Sequence, residues 1–454
     1  MTANPPRILF CAASSGSGKT TLTCAVLQAL VNRGLSVSSF KCGPDYIDPM
    51  FHSRVIGTKS RNLDPFFLTP DLLRYSLCKN SAQDFSLIEG VMGYYDGLAG
   101  ISDQASSYQV AVETKTPAVL IVDGRGVSVS AAATVTGFLR FRENSQIQGV
   151  ILNRVSPMAY SMLKEVIERE TGIKVYGYLP VMKDCALESR HLGLVTAGEV
   201  KGLREKLSLL AEQAEKTIDL DGLMELAHEA PSLTCEPPVV QQLPQRISIA
   251  VAEDEAFCFY YEDNFDLLKQ MGINFVPFSP LKDQKLPAEA AGLILGGGYP
   301  ELYVKELSEN RSMRESIQNA VKQGMPTIAE CGGFMYLQQT LDGFPMAGAL
   351  PGNCAGTGKL SRFGYVTLTA NRDSMLCKQG EQIPAHEFHY WDSDCCGDGF
   401  TASKPLRQHS WQCGVVSDRL YAGYPHLHLM GNLSFAWRFA KACFDFMEQT
   451  KGQK

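Results

Sequence analysis

The chain has no run of about 18 apolar residues, so no membrane-spanning helix is expected. Its opening, MTANPPRILFCAASSG, has no basic segment leading into a long apolar stretch, so a secretory signal is not expected either. No CxxC pair occurs among the 14 cysteines, which are scattered over 454 residues. That spacing suits neither a disulfide framework nor a thiolate metal site; without an export signal, the expected compartment is a reducing cytoplasm. There is no HExxH. PAHEFHYWD offers His386 and His389 as His-Glu-x-His, which fails the helical spacing of a zinc protease. There is no basic block, and the formal net charge is −6, which argues against nucleic acid as the main partner. A local basic pocket for an anion stays compatible with that balance.

What is present is ordinary globular material, 45% apolar and 20% charged, in a chain too long for one core. Strand-like runs RILFCAAS, LSVSSFKCG, FSLIEGV, PAVLIVDG, IQGVILNRV and KVYGYLP are interleaved with helical patterns in the first half. Such alternation predicts a parallel sheet covered on both faces. Residues 196–243 are charged and helix-periodic, then rich in Pro and Gln, and read as a helical segment and linker. RISIAVAED restarts an α/β pattern. The expected division is therefore 1–195, 196–243 and 244–454.

AASSGSGKT places Ala13, Gly18, Lys19 and Thr20 in the phosphate-loop spacing A-x-x-x-x-G-K-T, between a strand and a helix. Backbone N–H groups of Ser15, Gly16, Ser17, Gly18 and Lys19 can surround phosphate at the helix N-terminus. Lys19 would reach the terminal phosphate oxygens, and the Thr20 hydroxyl a Mg²⁺ ion. KCGPDYIDP brings Lys41, Asp45 and Asp48 to the end of the next strand, and LIEGVMGYYDG brings Glu89 and Asp96 to the end of another. Acids at that edge suit a hard cation. Asn153, in ILNRV, is a candidate reader of a base edge.

MPTIAECGGFMYLQQ puts Cys331 between a buried-strand run and a helical pattern, with glycine at the next two positions. That is the sharp turn that exposes a nucleophile above a sheet. A helix N-terminus is expected to lower the thiol pKa. Gly296, Gly297 and Gly298 in LILGGGYPELY end another strand and offer N–H donors for an oxyanion. Two histidine pairs could supply a base, His386 with His389 or His426 with His428; position alone does not choose.

In this order, SSGSGKTTLT, KCGPDYIDPMFH, NLDPFF, EGVMGYYDG, ESRHLGLV, LGGGYPELY, AECGGFMYL, HEFHY and YPHLH resemble the cobyrinic acid a,c-diamide synthase family, ATP-dependent glutamine amidotransferases of corrinoid (cobalamin) biosynthesis. The resemblance covers nearly the whole chain. It implies an α/β fold: a P-loop, dethiobiotin-synthetase-like parallel-sheet domain followed by a class I glutaminase-like α/β domain. It implies Cys331 as nucleophile on L-glutamine, His426 as its base, and Gly297 and Gly298 as oxyanion donors. The usual class I triad has an acid two residues after that histidine. Here His428 stands there, so the group that orients His426 is unassigned. It further implies ATP on Ser15–Thr20, Mg²⁺ at Thr20, Glu89 and Asp45, and Asp45, Asp48 and Asp96 around an acyl-phosphate reaction. Lys41 and Arg190 are the candidate cations for a tetrapyrrole polycarboxylate. A nickel or a metal-free tetrapyrrole is an alternative macrocycle, and a partitioning-type ATPase fused to an inactive glutaminase-like module is the alternative of another class. Oligomeric state, ammonia path and order of amidation are left open, a homo-oligomer included.

Overall fold

The computed structural model describes residues 2–185 and 197–451; Arg190, with the rest of ESRHLGLV, lies outside the described residues. The chain divides between Pro238 and Val239 into two compact units.

In the first unit, β1 (Arg7–Ala12), β2 (Val37–Cys42), β3 (Lys59–Leu63), β4 (Phe85–Glu89), β5 (Ala118–Asp123), β6 (Ile147–Asn153) and β7 (Val175–Leu179) form one parallel sheet. Its order is β3-β2-β4-β1-β5-β6-β7. Every residue of β1 and β4 is buried, as near-continuous apolar strands require when both sheet faces are covered. The strand order reverses at β1, which opens a crevice at the carboxyl ends of the strands. Helix α1 (Lys19–Asn32) starts there. Helices α2 (Ala197–Thr217) and α3 (Leu220–His228) send Leu207, Leu210, Ala214 and Leu223 into the same core as Ile8, Phe10 and Leu22. The helical part of 196–243 thus packs as a wall of the first unit.

The second unit holds two larger sheets beside two smaller ones of two and four strands. The first contains β8 (Ile247–Ala252), β9 (Ile273–Phe278), β10 (Ala290–Leu295) and β11 (Thr327–Glu330). Helix α4 (Gly332–Leu337) follows β11 after one residue. The second sheet begins with β12 (Arg362–Ala370) and β13 (Gln382–His389) and continues with β14 (Phe400–Ser403) and β15 (Ser410–Cys413). Strands β16 (Val415–Ser417) and β17 (Leu420–Gly423) return to the first sheet, whose order is β9-β8-β10-β11-β17-β16, parallel except at the last pair. Strand β18 (His426–Leu427) then joins the edge of the antiparallel sheet, β15-β14-β12-β13-β18. The chain from β17 to β18 therefore links the two sheets beside β11. No described helix is long and apolar enough to cross a membrane, and all 14 cysteines are free thiols.

One buried cation ties the first unit's ends to its middle. Arg7 is fully buried and donates to the carbonyls of Pro5 (2.9 Å), Thr114 (2.9 Å) and Pro231 (2.6 Å). These are uncharged acceptors, so the guanidinium is there to satisfy backbone oxygens that would otherwise be orphaned. Arg7→Met should lower the unfolding free energy by about 3 kcal/mol, read from the urea midpoint of the first unit. A change under about 0.5 kcal/mol would mean that those carbonyls do not need it.

Candidate functional sites

The phosphate loop occupies Ala13–Gly18, between β1 and α1. Gly16 and Gly18 have φ of 79° and 94°, the left-handed region in which glycine is unstrained. A Cβ on Gly18 would also lie 2.1 Å from Asn153 Nδ2. Asn153 Nδ2 donates to the Ser17 carbonyl (2.8 Å), and Arg154 Nη2 to the Gly16 carbonyl (2.9 Å). A trans peptide points its N–H opposite to its C=O. Pinning these two carbonyls outward therefore turns the N–H groups of Ser17 and Gly18 inward, as an anion cradle needs. Asn153, expected to read a base edge, is engaged in shaping the loop. Arg154 and its ion-pair partner Asp123 (2.7 Å), which also binds Arg125 (2.8 Å), were not singled out from sequence. With Ser14–Ser17, Asp123 and Arg125 border a cleft of about 410 Å³.

Lys19 is buried and donates to the carbonyls of Ser14 (3.1 Å) and Met92 (2.5 Å). Met92 belongs to the loop after β4, where the Asp96 carboxylate accepts the Gly93 N–H (2.8 Å) and closes the turn. A Cβ on Gly93 would meet Asp96 Oδ2 at 2.4 Å and the Ala13 carbonyl at 2.7 Å, so the Asp96 turn lies against the start of the phosphate loop. Thr20 Oγ1 donates to Glu89 Oε1 (2.6 Å), which also accepts from Lys41 (2.9 Å). Lys41 pairs in turn with Asp48 (2.6 Å). Burial opposes its charge, but Asp48 and then Glu89 hold the Lys41 ammonium well above its ordinary value. The expectation that Lys41 greets an anionic substrate is corrected here: it is buried between two carboxylates. Burial, then Asp48, pushes Asp45 up to about 7, and Asp45 Oδ1 accepts the Ile47 N–H (2.9 Å).

A hard divalent cation fits Thr20 and Glu89. Both present oxygens beside the cradle, Glu89 Oε2 is buried without a hydrogen-bond partner, and burial raises the carboxyl's pKa. Asp45 is tied to its own turn, and no group of three or more Asp, Glu, His or Cys suited to a metal occurs among the described residues. The cation's remaining ligands would come from nucleotide and water.

In the second unit Cys331 is held at φ 49°, ψ −101° between β11 and α4. Its N–H donates to the Gly423 carbonyl (2.8 Å), its carbonyl accepts from Met335 N (2.9 Å), and Gly333 N donates to the Gly296 carbonyl (2.9 Å). A Cβ on Gly333 would sit 2.1 Å from the Leu295 carbonyl oxygen, and one on Gly332 would sit 3.1 Å from Gly298 N. A Cβ on Gly297 would lie 2.5 Å from His426 Cε1. The strip Gly296–Gly298 thus touches both the cysteine turn and the His426 imidazole.

Of the four candidate histidines, His426 is buried with Nδ1 3.5 Å from Glu330 Oε2. His386 lies directly opposite it on β13. Burial pulls His386 down to about 3 and His428 to about 3, so both are neutral. His389 Nδ1 donates to the Trp391 carbonyl (2.6 Å), and the ring stacks on Tyr424 at 3.8 Å. Asn264, unflagged in the sequence, clamps the His426–His428 segment: its Nδ2 donates to the Leu427 carbonyl (2.8 Å) and its Oδ1 accepts the Leu429 N–H (2.7 Å). The expected thiol activation by a helix N-terminus is also corrected. Helix α4 has six residues, and burial, followed by the charge of Glu301, pushes the Cys331 thiol up. A thiol raised in this way would need a base in order to act as a nucleophile.

A family model described as the CobQ/CobB/MinD/ParA nucleotide binding domain matches residues 8–195, and one described as the CobB/CobQ-like glutamine amidotransferase domain matches residues 248–433. A protein named cobyrinate a,c-diamide synthase from Listeria monocytogenes is 41% identical, with 94% of this chain and 97% of that protein covered. Proteins of the same name from Caldanaerobacter subterraneus (40%, covering 95% and 97%) and Thermoplasma volcanium (38%, covering 98% and 98%) are similar to it as well.

Proposed function

Because the chain belongs to the cobyrinate a,c-diamide synthase family of glutamine-dependent ligases, we propose that it amidates the a and c acetate side chains of cobyrinic acid through acyl phosphates, with glutamine as nitrogen source and ATP as activator. The observation that supports this best is the glycine strip, which sets a thiol turn and an imidazole against the same row of backbone.

In the second unit, Cys331 Sγ attacks the side-chain amide carbon of glutamine while His426 takes the thiol proton. The oxyanion that forms would be received by N–H groups of Gly297 and Gly298. On collapse, the proton held by His426 passes to the departing nitrogen, and ammonia leaves. Water then cleaves the glutamyl thioester, giving glutamate and the free thiol. In the first unit, the inward N–H groups of Ser15–Lys19 and the Lys19 ammonium hold the terminal phosphates of ATP. A side-chain carboxylate of the macrocycle attacks the γ-phosphorus and ADP departs. That turns a poor leaving oxide into phosphate, which ammonia expels to give the amide. Asp45, Asp48 and Asp96 frame this reaction, with Lys41 balancing Asp48 and Glu89. Mg²⁺ bound at Thr20 and Glu89 would neutralise charge on the phosphates. Two such cycles give the diamide.

Joining the activities in one chain keeps ammonia unprotonated and local, since ammonium in bulk water at pH 7 is no nucleophile. Cys331→Ser should lose glutamine-dependent amidation by about 10³-fold or more and keep amidation driven by added ammonium salt. Lys19→Ala should lose amidation from either nitrogen source while glutamine hydrolysis survives. Product masses from cobyrinic acid, nickel and metal-free substrates read both variants and the choice of macrocycle. Equal loss of both nitrogen sources in Cys331→Ser, or normal amidation in Lys19→Ala, would contradict the assignment.

A further inference from the structure

We infer that Glu330, the residue immediately before the nucleophile, is the positioning residue for His426, in place of the acid that class I glutaminases carry two residues after that histidine. This rests on the proposed roles of Cys331 and His426. The place two residues on is taken by His428, which is fully buried, with Asp263 Oδ2 3.9 Å from its Nε2. A neutral imidazole there supplies no negative charge to His426.

Glu330 does. Its two oxygens face the histidine strand at adjacent points: Oε1 accepts the Leu427 N–H at 3.1 Å, and Oε2 lies 3.5 Å from His426 Nδ1, an ion-pair distance rather than a hydrogen bond. The carboxylate is thereby fixed beside the ring by a bond that does not depend on the ring's own charge. It favours the tautomer with hydrogen on Nδ1, which makes Nε2, on the side of the glycine strip, the basic nitrogen that would take the thiol proton. It also stabilises the imidazolium that forms, which is the role of the acid in a Ser-His-Asp arrangement. Glu330 ends β11, paired with Gly423, and the next peptide N–H, that of Cys331, bonds to the Gly423 carbonyl. One strand end therefore sets both the nucleophile and the group that orients its base.

His386 and His389, from β13, also face this imidazole, and burial holds both neutral. Glu330→Gln keeps the shape and the acceptor for Leu427 N–H but removes the charge. In the full chain, kcat for glutamine hydrolysis should fall about 10²-fold, with KM for glutamine within about twofold of the native value. The urea midpoint should stay at the native value. A native kcat in Glu330→Gln, or a fall in kcat accompanied by a lower urea midpoint, overturns the inference. Cys331→Ser, assayed in parallel, separates the two levels: if it still hydrolyses glutamine, the glutaminase reading itself fails.

Discussion

The backbone at Cys331 is the constraint around which the second unit is arranged. A non-glycine residue at φ 49°, ψ −101° is strained by about 1–3 kcal/mol and persists only where its surroundings over-determine it. Here Gly423 and Met335 bond to the cysteine's own peptide groups, and Gly296 bonds to Gly333. Space for the turn exists only because residues 332 and 333 lack side chains against Gly298, Pro300 and Leu295. Three strand ends, β10, β11 and β17, therefore converge on one sulfur. The strain keeps the thiol at the top of the sheet, and burial favours its protonated form.

The first unit solves a different problem with the same geometry. Its reactive edge is also the carboxyl end of parallel strands, but what it stores there is charge. Lys41, Asp48 and Glu89 are buried within one sheet edge, an arrangement that is expensive unless every charge is matched. The Glu89 oxygen without a hydrogen bond and the raised Asp45 carboxyl mark where matching is incomplete. Buried charge of this kind clusters at functional edges more than where stability alone is served. The Asn153 and Arg154 clamps supply the other half, fixing the direction in which the loop's N–H groups point.

Much of this was legible in the sequence, and what was not has a common cause. The parallel sheet, the phosphate loop, the cysteine turn and the glycine strip are local features, written in consecutive residues with turn and strand chemistry. The partners of Lys41 were not legible: Glu89 is 48 residues away, and only the register of β2 with β4 brings Lys41 opposite it. Asn264 and Asp123 escaped for the same reason. Glu330 was quoted as strand, because nothing in AEC says that its carboxylate meets a ring 96 positions later. The thiol was misjudged in direction because a local rule about helix ends was applied where desolvation is the larger effect. The helices of 196–243 were recognised as helices, but composition does not tell whether an amphipathic segment links units or walls one of them.

The account's central claim is that nitrogen freed at Cys331 is the nitrogen installed on the macrocycle. The direct measurement is product mass after turnover with amide-¹⁵N glutamine in the presence of excess unlabelled ammonium. The account predicts a diamide carrying ¹⁵N at both new amides. A diamide carrying the unlabelled nitrogen of the bulk solution would contradict it.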